Sequence, residues 1–207
     1  MKESEKERDT LKSRSKIRVG DFHLEIQENL QQITGAELQQ ALEALPDWRR
    51  EAALKFKHEA GQRACAFSYL LLCQLLKEVY GITEQPHFLW GEHGKPTLLE
   101  HPEIHFNLSH CREALAVAVG PAPVGVDVEC TGRCREGLLR YACSEEEVLR
   151  IQTATNPDRE FTRLWTQKEA VAKLQGTGIT DGFKEILLQD VHLETFENST
   201  FITSIAY

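Results

Sequence analysis

No run of apolar residues in this sequence is long enough to cross a membrane. The nearest, Ala64 to Leu76, is broken by Ser68, Tyr69 and Gln74, whereas a spanning helix needs about 20 predominantly apolar residues. The opening MKESEKERDTLKSRSK has no apolar segment of the kind a secretory signal carries. Residues 1–16 therefore read as a flexible, charged, solvated leader. A basic excess is missing as well. Lys and Arg total 24 against 32 Asp and Glu, a net charge of −8. That excludes a broad nucleic-acid footprint, and it requires the basic groups of any anion site to be gathered locally. The six cysteines (65, 73, 111, 130, 134 and 143) show no repeated spacing. A zinc set of Cys130, Cys134 and Cys143 matches no common ribbon or finger and has no evident fourth ligand. Without an export signal, the thiols are expected to be reduced and the protein cytoplasmic.

What remains is a globular composition, 41% hydrophobic and 27% charged over 207 residues. It suits one large domain or two small fused ones. FHLEI (Phe22–Ile26), HFLW (His87–Trp90), IHFNLS (Ile104–Ser109) and ALAVAV (Ala114–Val119) read as strands, the last two as a hairpin around His110 to Glu113. Thr34 with Glu37, and Ser144 with Glu147, are capping boxes. The first opens a helix that should stop before Pro46. A long helix is expected from Glu59 to Tyr80, ended by Gly81. Another should run from the Asn156-Pro157 cap to Gln175, ended by Gly176 and Gly178. EILLQDV (Glu185–Val191) and TFITSIA (Thr200–Ala206) read as terminal strands. Gly120-Pro121-Ala122-Pro123 is the best linker. It divides the chain into halves 17–120 and 121–207, with no sequence repeat between them. The order of elements predicts an α+β fold.

The stretch GVDVE, Gly125 to Glu129, poses a chemical question. Val124, Val126 and Val128 share one strand face, and Asp127 and Glu129 share the other. A half-exposed edge strand carries such charges routinely. A hard cation gives a second reading: alternate residues lie about 6.5–7 Å apart at Cα, so both carboxylates can lean on one ion. The helix from Phe161 offers a third acid. At about 100° per residue, Phe161, Leu164, Trp165, Val171 and Ala172 form an apolar stripe with Glu169 at its edge. Lys173 lies one turn beyond Glu169, and Lys168 falls inside the stripe. Lys168 either snorkels or is held against an anion bordering the core. Ser109-His110 ends a strand, and Gly94-Lys95-Pro96 is a plausible turn.

Taken in order, HGKPTL, FNLSHC, GVDVE and FTRLWTQKEAVAKLQGTG resemble the motifs of the 4′-phosphopantetheinyl transferase family, of its long monomeric, surfactin-synthetase-activating kind. The four span Gly94 to Gly178, and 42 residues separate Asp127 from Glu169. The resemblance implies two similar α+β halves related by a pseudo-twofold, with the active site in the cleft between them. It implies coenzyme A as donor, an acyl or peptidyl carrier protein of a fatty-acid or secondary-metabolite pathway as acceptor, and Mg²⁺ or Mn²⁺ as metal. A cytoplasmic monomer with no nucleic-acid or membrane partner follows.

By match to those motifs, Asp127, Glu129 and Glu169 would hold the metal. Glu169, or a water it orients, would take the acceptor serine's proton. Lys173 would contact the diphosphate, with Lys168 supporting it. Ser109 and His110 would hold phosphate, Lys95 and Pro96 would border the adenine end, and Arg63 would pair with the 3′-phosphate, with Lys57 as an alternate. Trp165 would pack beneath the metal-bearing helix. Arg133, Arg135 and Arg140 could dock an acidic carrier. Cys111 departs from the small residue usual after the histidine, and the chain leaves less room than usual after Gly178 for a final hairpin. A metal-dependent phosphoanhydride hydrolase and a non-catalytic coenzyme A or carrier-binding module are the rival readings.

Overall fold

A computed structural model describes residues 13–91, 93–178 and 181–207 of the chain. Strands β1 (Arg14–Val19) and β2 (Phe22–Gln27) form a hairpin that turns at Gly20. Most of the expected leader lies outside the described residues. Its last three residues, 14–16, instead begin β1, paired with Gln27, Ile26 and Glu25. A 3-10 turn (Leu30–Gln32) leads to helix α1 (Gly35–Ala44), where both reciprocal bonds of the Thr34–Glu37 capping box are made. Helix α2 (Asp47–Leu54), which the sequence reading had not separated, starts directly after Pro46. Helix α3 (Glu59–Tyr80) ends at Gly81 in the left-handed conformation, φ 72°. A short hairpin, β3 (Phe88–Trp90) and β4 (Pro96–Leu98), precedes a longer one, β5 (His105–His110) and β6 (Leu115–Gly120).

The second half opens on β7 (Gly125–Cys130) and continues through α4 (Glu136–Ala142) and α5 (Glu145–Thr153), the latter opened by the Ser144–Glu147 box. Helix α6 (Pro157–Gln175) is capped by the Asn156 side chain and closes at Gly176, φ 70°. A 3-10 segment (Asp181–Leu188) then leads to the hairpin of β8 (Leu193–Glu197) and β9 (Phe201–Ala206). The expected strand Glu185–Val191 is thus corrected. The residues that this segment buries are Phe183 and Ile186, three apart, and a three-residue repeat is the period of a 3-10 turn, not of a strand. No helix among the described residues is long and apolar enough to cross a membrane.

The fold is α+β. One antiparallel sheet runs β1-β2-β6-β5 and another runs β7-β9-β8. Strand β6 sorts its side chains by size. Leu115, Val117 and Val119 face the core built with α1 and α3, while Ala114, Ala116 and Ala118 face a second core. That second core is shared by both sheets: Leu24 and Ile26 of β2 meet Val124, Val126 and Val128 there. The valine face of β7 is therefore fully buried, not an exposed edge.

Helix α6 is covered on both sides. Its apolar stripe packs with Phe183, Ile186, Ile151 and Ala142, and its opposite face lies on β7 and β9, where Thr166 and Ser204 share a 2.9 Å hydrogen bond. The approach is close because position 125 is glycine. A Cβ there would stand 2.0 Å from the Ala170 carbonyl oxygen and 2.4 Å from the Leu174 nitrogen. Both obstacles are backbone and cannot swing aside. Gly125→Ala should therefore cost about 2–3 kcal/mol through overpacking, whereas Gly137→Ala, with nothing within 4 Å, should stay within about 0.5 kcal/mol of the parent. Thermal denaturation of the two variants checks this; equal stability would contradict the close contact.

Candidate active site

The seating of α6 on β7 sets one helix face against one strand face. Asp127, buried on β7, meets Lys173 on α6. The Lys173 ammonium donates to Asp127 Oδ1 at 2.6 Å and to Ser109 Oγ at 3.0 Å. The Ser109 hydroxyl donates to the same Oδ1 at 2.8 Å and accepts from the Val128 N–H at 3.3 Å. Asn107, two residues back along β5, accepts from the Val126 N–H at 2.9 Å. Together these bonds fix β7 in register beside β5. The second oxygen, Asp127 Oδ2, is buried with no hydrogen-bond partner among the described residues.

The neighbouring acids feel this arrangement. Burial pushes the Glu129 carboxyl up to about 7, the Asp127 charge adds to the rise, and Lys173 opposes it. Burial also raises Glu169, again with Asp127 adding and Lys173 opposing. Three carboxylates thus share a half-buried region with one lysine. A cluster of that kind lacks positive charge, and its donors are oxygens, which suits a hard divalent cation. Among the described residues, no group of three such side chains stands close enough together to hold a metal as placed. The orphaned Asp127 oxygen and the mutual repulsion of the three acids are the observations that fit one.

His110, at the end of β5, is exposed at the surface but crowded by protein on its inner side. Burial holds its imidazole below the ordinary range, and Lys173 adds to that effect while Asp127 opposes it. His110 lines a cavity of about 330 Å³ together with Arg63, Gly61, Cys111 and Arg112. Arg63 pairs with Glu59 one turn earlier on α3, and its Nε is buried with no partner among the described residues. A cationic cavity therefore adjoins the acid cluster. Lys57 is exposed before α3 and lies outside the cavity lining.

Three expected ligand residues are placed elsewhere. Lys168 is fully buried, 0% exposed. It pairs with Glu147 Oε2 at 2.8 Å and donates to the carbonyls of Phe183 and Lys184. The anion it is held against is Glu147, and the pair ties α5 and the 3-10 segment to α6. Five residues at about 100° each set Lys168 roughly 140° around the helix from Lys173, so the two lysines cannot serve one site. Lys95 donates to the carbonyls of Val124, Lys173 and Leu174 at 3.1, 2.6 and 3.0 Å. It thereby satisfies the free carbonyls at the α6 C-terminus, a helix-capping task. Pro96 faces Trp90 and lines a separate cavity of about 220 Å³ with Tyr69, Phe88 and Phe106. Trp165 packs edge-on against Phe183, on the side of α6 away from Asp127.

Asn107 and Gly125 were not singled out from the sequence as contributors, although both lie inside its motifs. The signal was the alternation of Asn107, Ser109 and Cys111, which matches Val126, Val128 and Cys130 at a constant offset of 19 residues.

These features place three carboxylates and Lys173 beside a cavity lined by Arg63, His110 and Arg112. Residues 123–206 match the family model of the 4′-phosphopantetheinyl transferase superfamily. The chain is 33% identical to 4′-phosphopantetheinyl transferase psf-1 of Bacillus pumilus over 137 residues, 65% of this chain and 59% of that protein. It is 27% identical to a 4′-phosphopantetheinyl transferase of Bacillus subtilis over 168 residues, 78% of this chain and 75% of that protein. Against 4′-phosphopantetheinyl transferase Sfp of Bacillus subtilis strain 168 it is 26% identical over 148 residues, 69% and 66% of the two chains. The chain is thus similar to 4′-phosphopantetheinyl transferases, the Sfp type among them, and spans 59% of the length of the Bacillus pumilus protein it matches.

The buried Lys168–Glu147 pair makes a prediction. Removing one partner of a buried pair costs about 3–5 kcal/mol, so Lys168→Met should lower stability by that order in urea denaturation. Glu147→Gln, which keeps the cap but not the charge, should recover most of the loss in the double variant. A Lys168→Met protein as stable as the parent would contradict the structural assignment.

Proposed function

We propose that this protein transfers the 4′-phosphopantetheine group of coenzyme A to a serine of an acyl or peptidyl carrier protein and releases adenosine 3′,5′-bisphosphate. The observation that carries the reading is the Asp127–Lys173–Ser109 cluster, with Glu129 and Glu169 beside it and the Arg63–His110 cavity adjoining. Asp127, Glu129 and Glu169 would hold Mg²⁺ or Mn²⁺. When bound, that ion supplies neutralisation of the diphosphate and of the charge that develops as the phosphoanhydride breaks.

The chain's own residues do the rest. Arg63 presents a planar fork suited to the nucleotide's terminal phosphate, and its buried, unpartnered Nε is a ready donor. His110 and Ser109 border the same region. Lys173, fixed by two hydrogen bonds, is a preset positive charge next to the diphosphate. Glu169, raised by burial, suits a general base that takes the proton of the attacking serine hydroxyl. The serine oxygen bonds to the pantetheine-bearing phosphorus, and the bond to the nucleotide's phosphate breaks. Arg133 and Arg135 are exposed beside the metal strand, while Arg140 is paired with Glu136; this segment is the candidate surface for an acidic carrier.

We also infer that the halves 17–120 and 121–207 are related by a pseudo-twofold, with the site at their junction. Leu24 and Ile26 of β2 enter the same shared core as Val126 and Val128 of β7. Glu25 and Gln27 take the places of Asp127 and Glu129. Gln74 and Glu78 on α3 are spaced as Glu169 and Lys173 are on α6. On the first sheet Arg14 of β1 fills the middle, bonding Gln27 at 2.6 Å, Glu25 at 3.4 Å, and Gln74. A built-in guanidinium there stands where the second half leaves its acids short of charge.

Mass spectrometry of an apo carrier protein incubated with this protein, coenzyme A and Mg²⁺ tests the function. The expected result is a mass gain of one phosphopantetheine. No gain on fatty-acid and peptidyl carriers would overturn it, and coenzyme A cleavage without a carrier would favour the phosphoanhydride hydrolase.

A further inference from the structure

Cys111 and Cys130 lie where β5 and β7 run side by side. Asn107 with Val126, Ser109 with Val128 and Cys111 with Cys130 are three rungs at one constant offset, so the two strands run in the same direction. The thiols form the last rung. Their sulfurs are 3.3 Å apart, and both residues are partly buried. A disulfide bond is about 2.05 Å long, so closing the pair requires a movement of roughly 1.2 Å. The proposed transfer uses neither sulfur.

We propose that Cys111 and Cys130 form a redox-modification site, which a low-molecular-weight disulfide such as oxidised glutathione closes into one intramolecular disulfide that slows the transfer reaction. In the first step a protein thiolate attacks the small disulfide, forming a mixed disulfide and releasing one small thiol. In the second step the other protein thiol loses its proton and attacks the protein-side sulfur, releasing the second small thiol. The two cysteines give up two electrons and two protons, and the small disulfide takes up both.

The position of the pair gives the modification its consequence. Cys111 follows His110, and Cys130 follows Glu129. Cys111 also lines the cavity with Arg63 and His110. Drawing the sulfurs together pulls on both backbones beside the acid cluster, and a misplacement of about 1 Å in a catalytic arrangement can cost on the order of 10²-fold in rate. In a reducing compartment the pair stays open, and it closes only when the thiol poise shifts. The effect on rate rests on the transferase reading; the cross-link does not.

The test is to incubate the reduced full-length chain with oxidised glutathione, alkylate the remaining thiols, map the peptides and measure transfer to a carrier protein. The expected result is loss of two of the six free thiols, a linked Cys111–Cys130 peptide and transfer at least ~10-fold slower. Dithiothreitol should restore the rate, and Cys130→Ser should keep its full rate in oxidant. Alkylation of all six thiols, a link between other cysteines, or a Cys111–Cys130 link with unchanged transfer would overturn the proposal. Should even the reduced protein transfer nothing to any carrier, the transferase reading fails, and the linked peptide still decides whether the site exists.

Discussion

The close seating of α6 on β7 is the contact on which the rest depends. Only glycine at position 125 leaves room for the helix backbone at Ala170 and Leu174. One end of that contact is held by Lys95, which ties the last carbonyls of α6 to the carbonyl of Val124 just before β7. The other face of the strand is locked by three valines in the core shared by both sheets. A strand fixed on both faces presents Asp127 and Glu129 rigidly, as a site for charged chemistry requires.

That rigidity has an electrostatic cost. Asp127 finds Lys173 and Ser109 for one oxygen and, among the described residues, nothing for the other. Glu129 is held near 7 and Glu169 is raised, both mainly by burial. Buried like charges persist where something else compensates them. On the first sheet Arg14 of β1 does this at Glu25. In the second half the imbalance remains, beside a cavity that carries Arg63 and His110. Glu25 thus meets a fixed guanidinium, whereas Asp127 Oδ2 has no partner among the described residues.

Much of this was legible in the sequence because it is encoded locally. Both capping boxes, the proline-started helix and its glycine stop, and the alternation in β2, β5, β6 and β7 depend on neighbours within a few residues. That Asp127 and Glu129 share a strand face, and Glu169 and Lys173 a helix face, was legible because strand alternation and i, i+4 spacing on a helix are fixed. What failed depended on distant partners. Lys168 in an apolar stripe could not be read as a Glu147 pair without knowing where α5 packs. Lys95 gave no hint that it would serve another element's C-terminus. Glu185–Val191 reads as strand from its aliphatic run, while the burial of Phe183 and Ile186 follows the period of a 3-10 turn. The start of β1 was hidden in charged residues, because Arg14 and Lys16 find their partners on α3, at Gln74 and Glu78.

The central claim is that the acids of β7 and α6 form a cation site completed by the substrate's diphosphate. Calorimetric titration of Mg²⁺ into the protein with coenzyme A present, for the parent and for Asp127→Asn, tests it most directly. The account predicts saturable binding by the parent and a loss of at least ~100-fold in affinity for the variant, about 2.7 kcal/mol, with the fold retained. Equal Mg²⁺ affinity in the two proteins, or none in the parent, would contradict it.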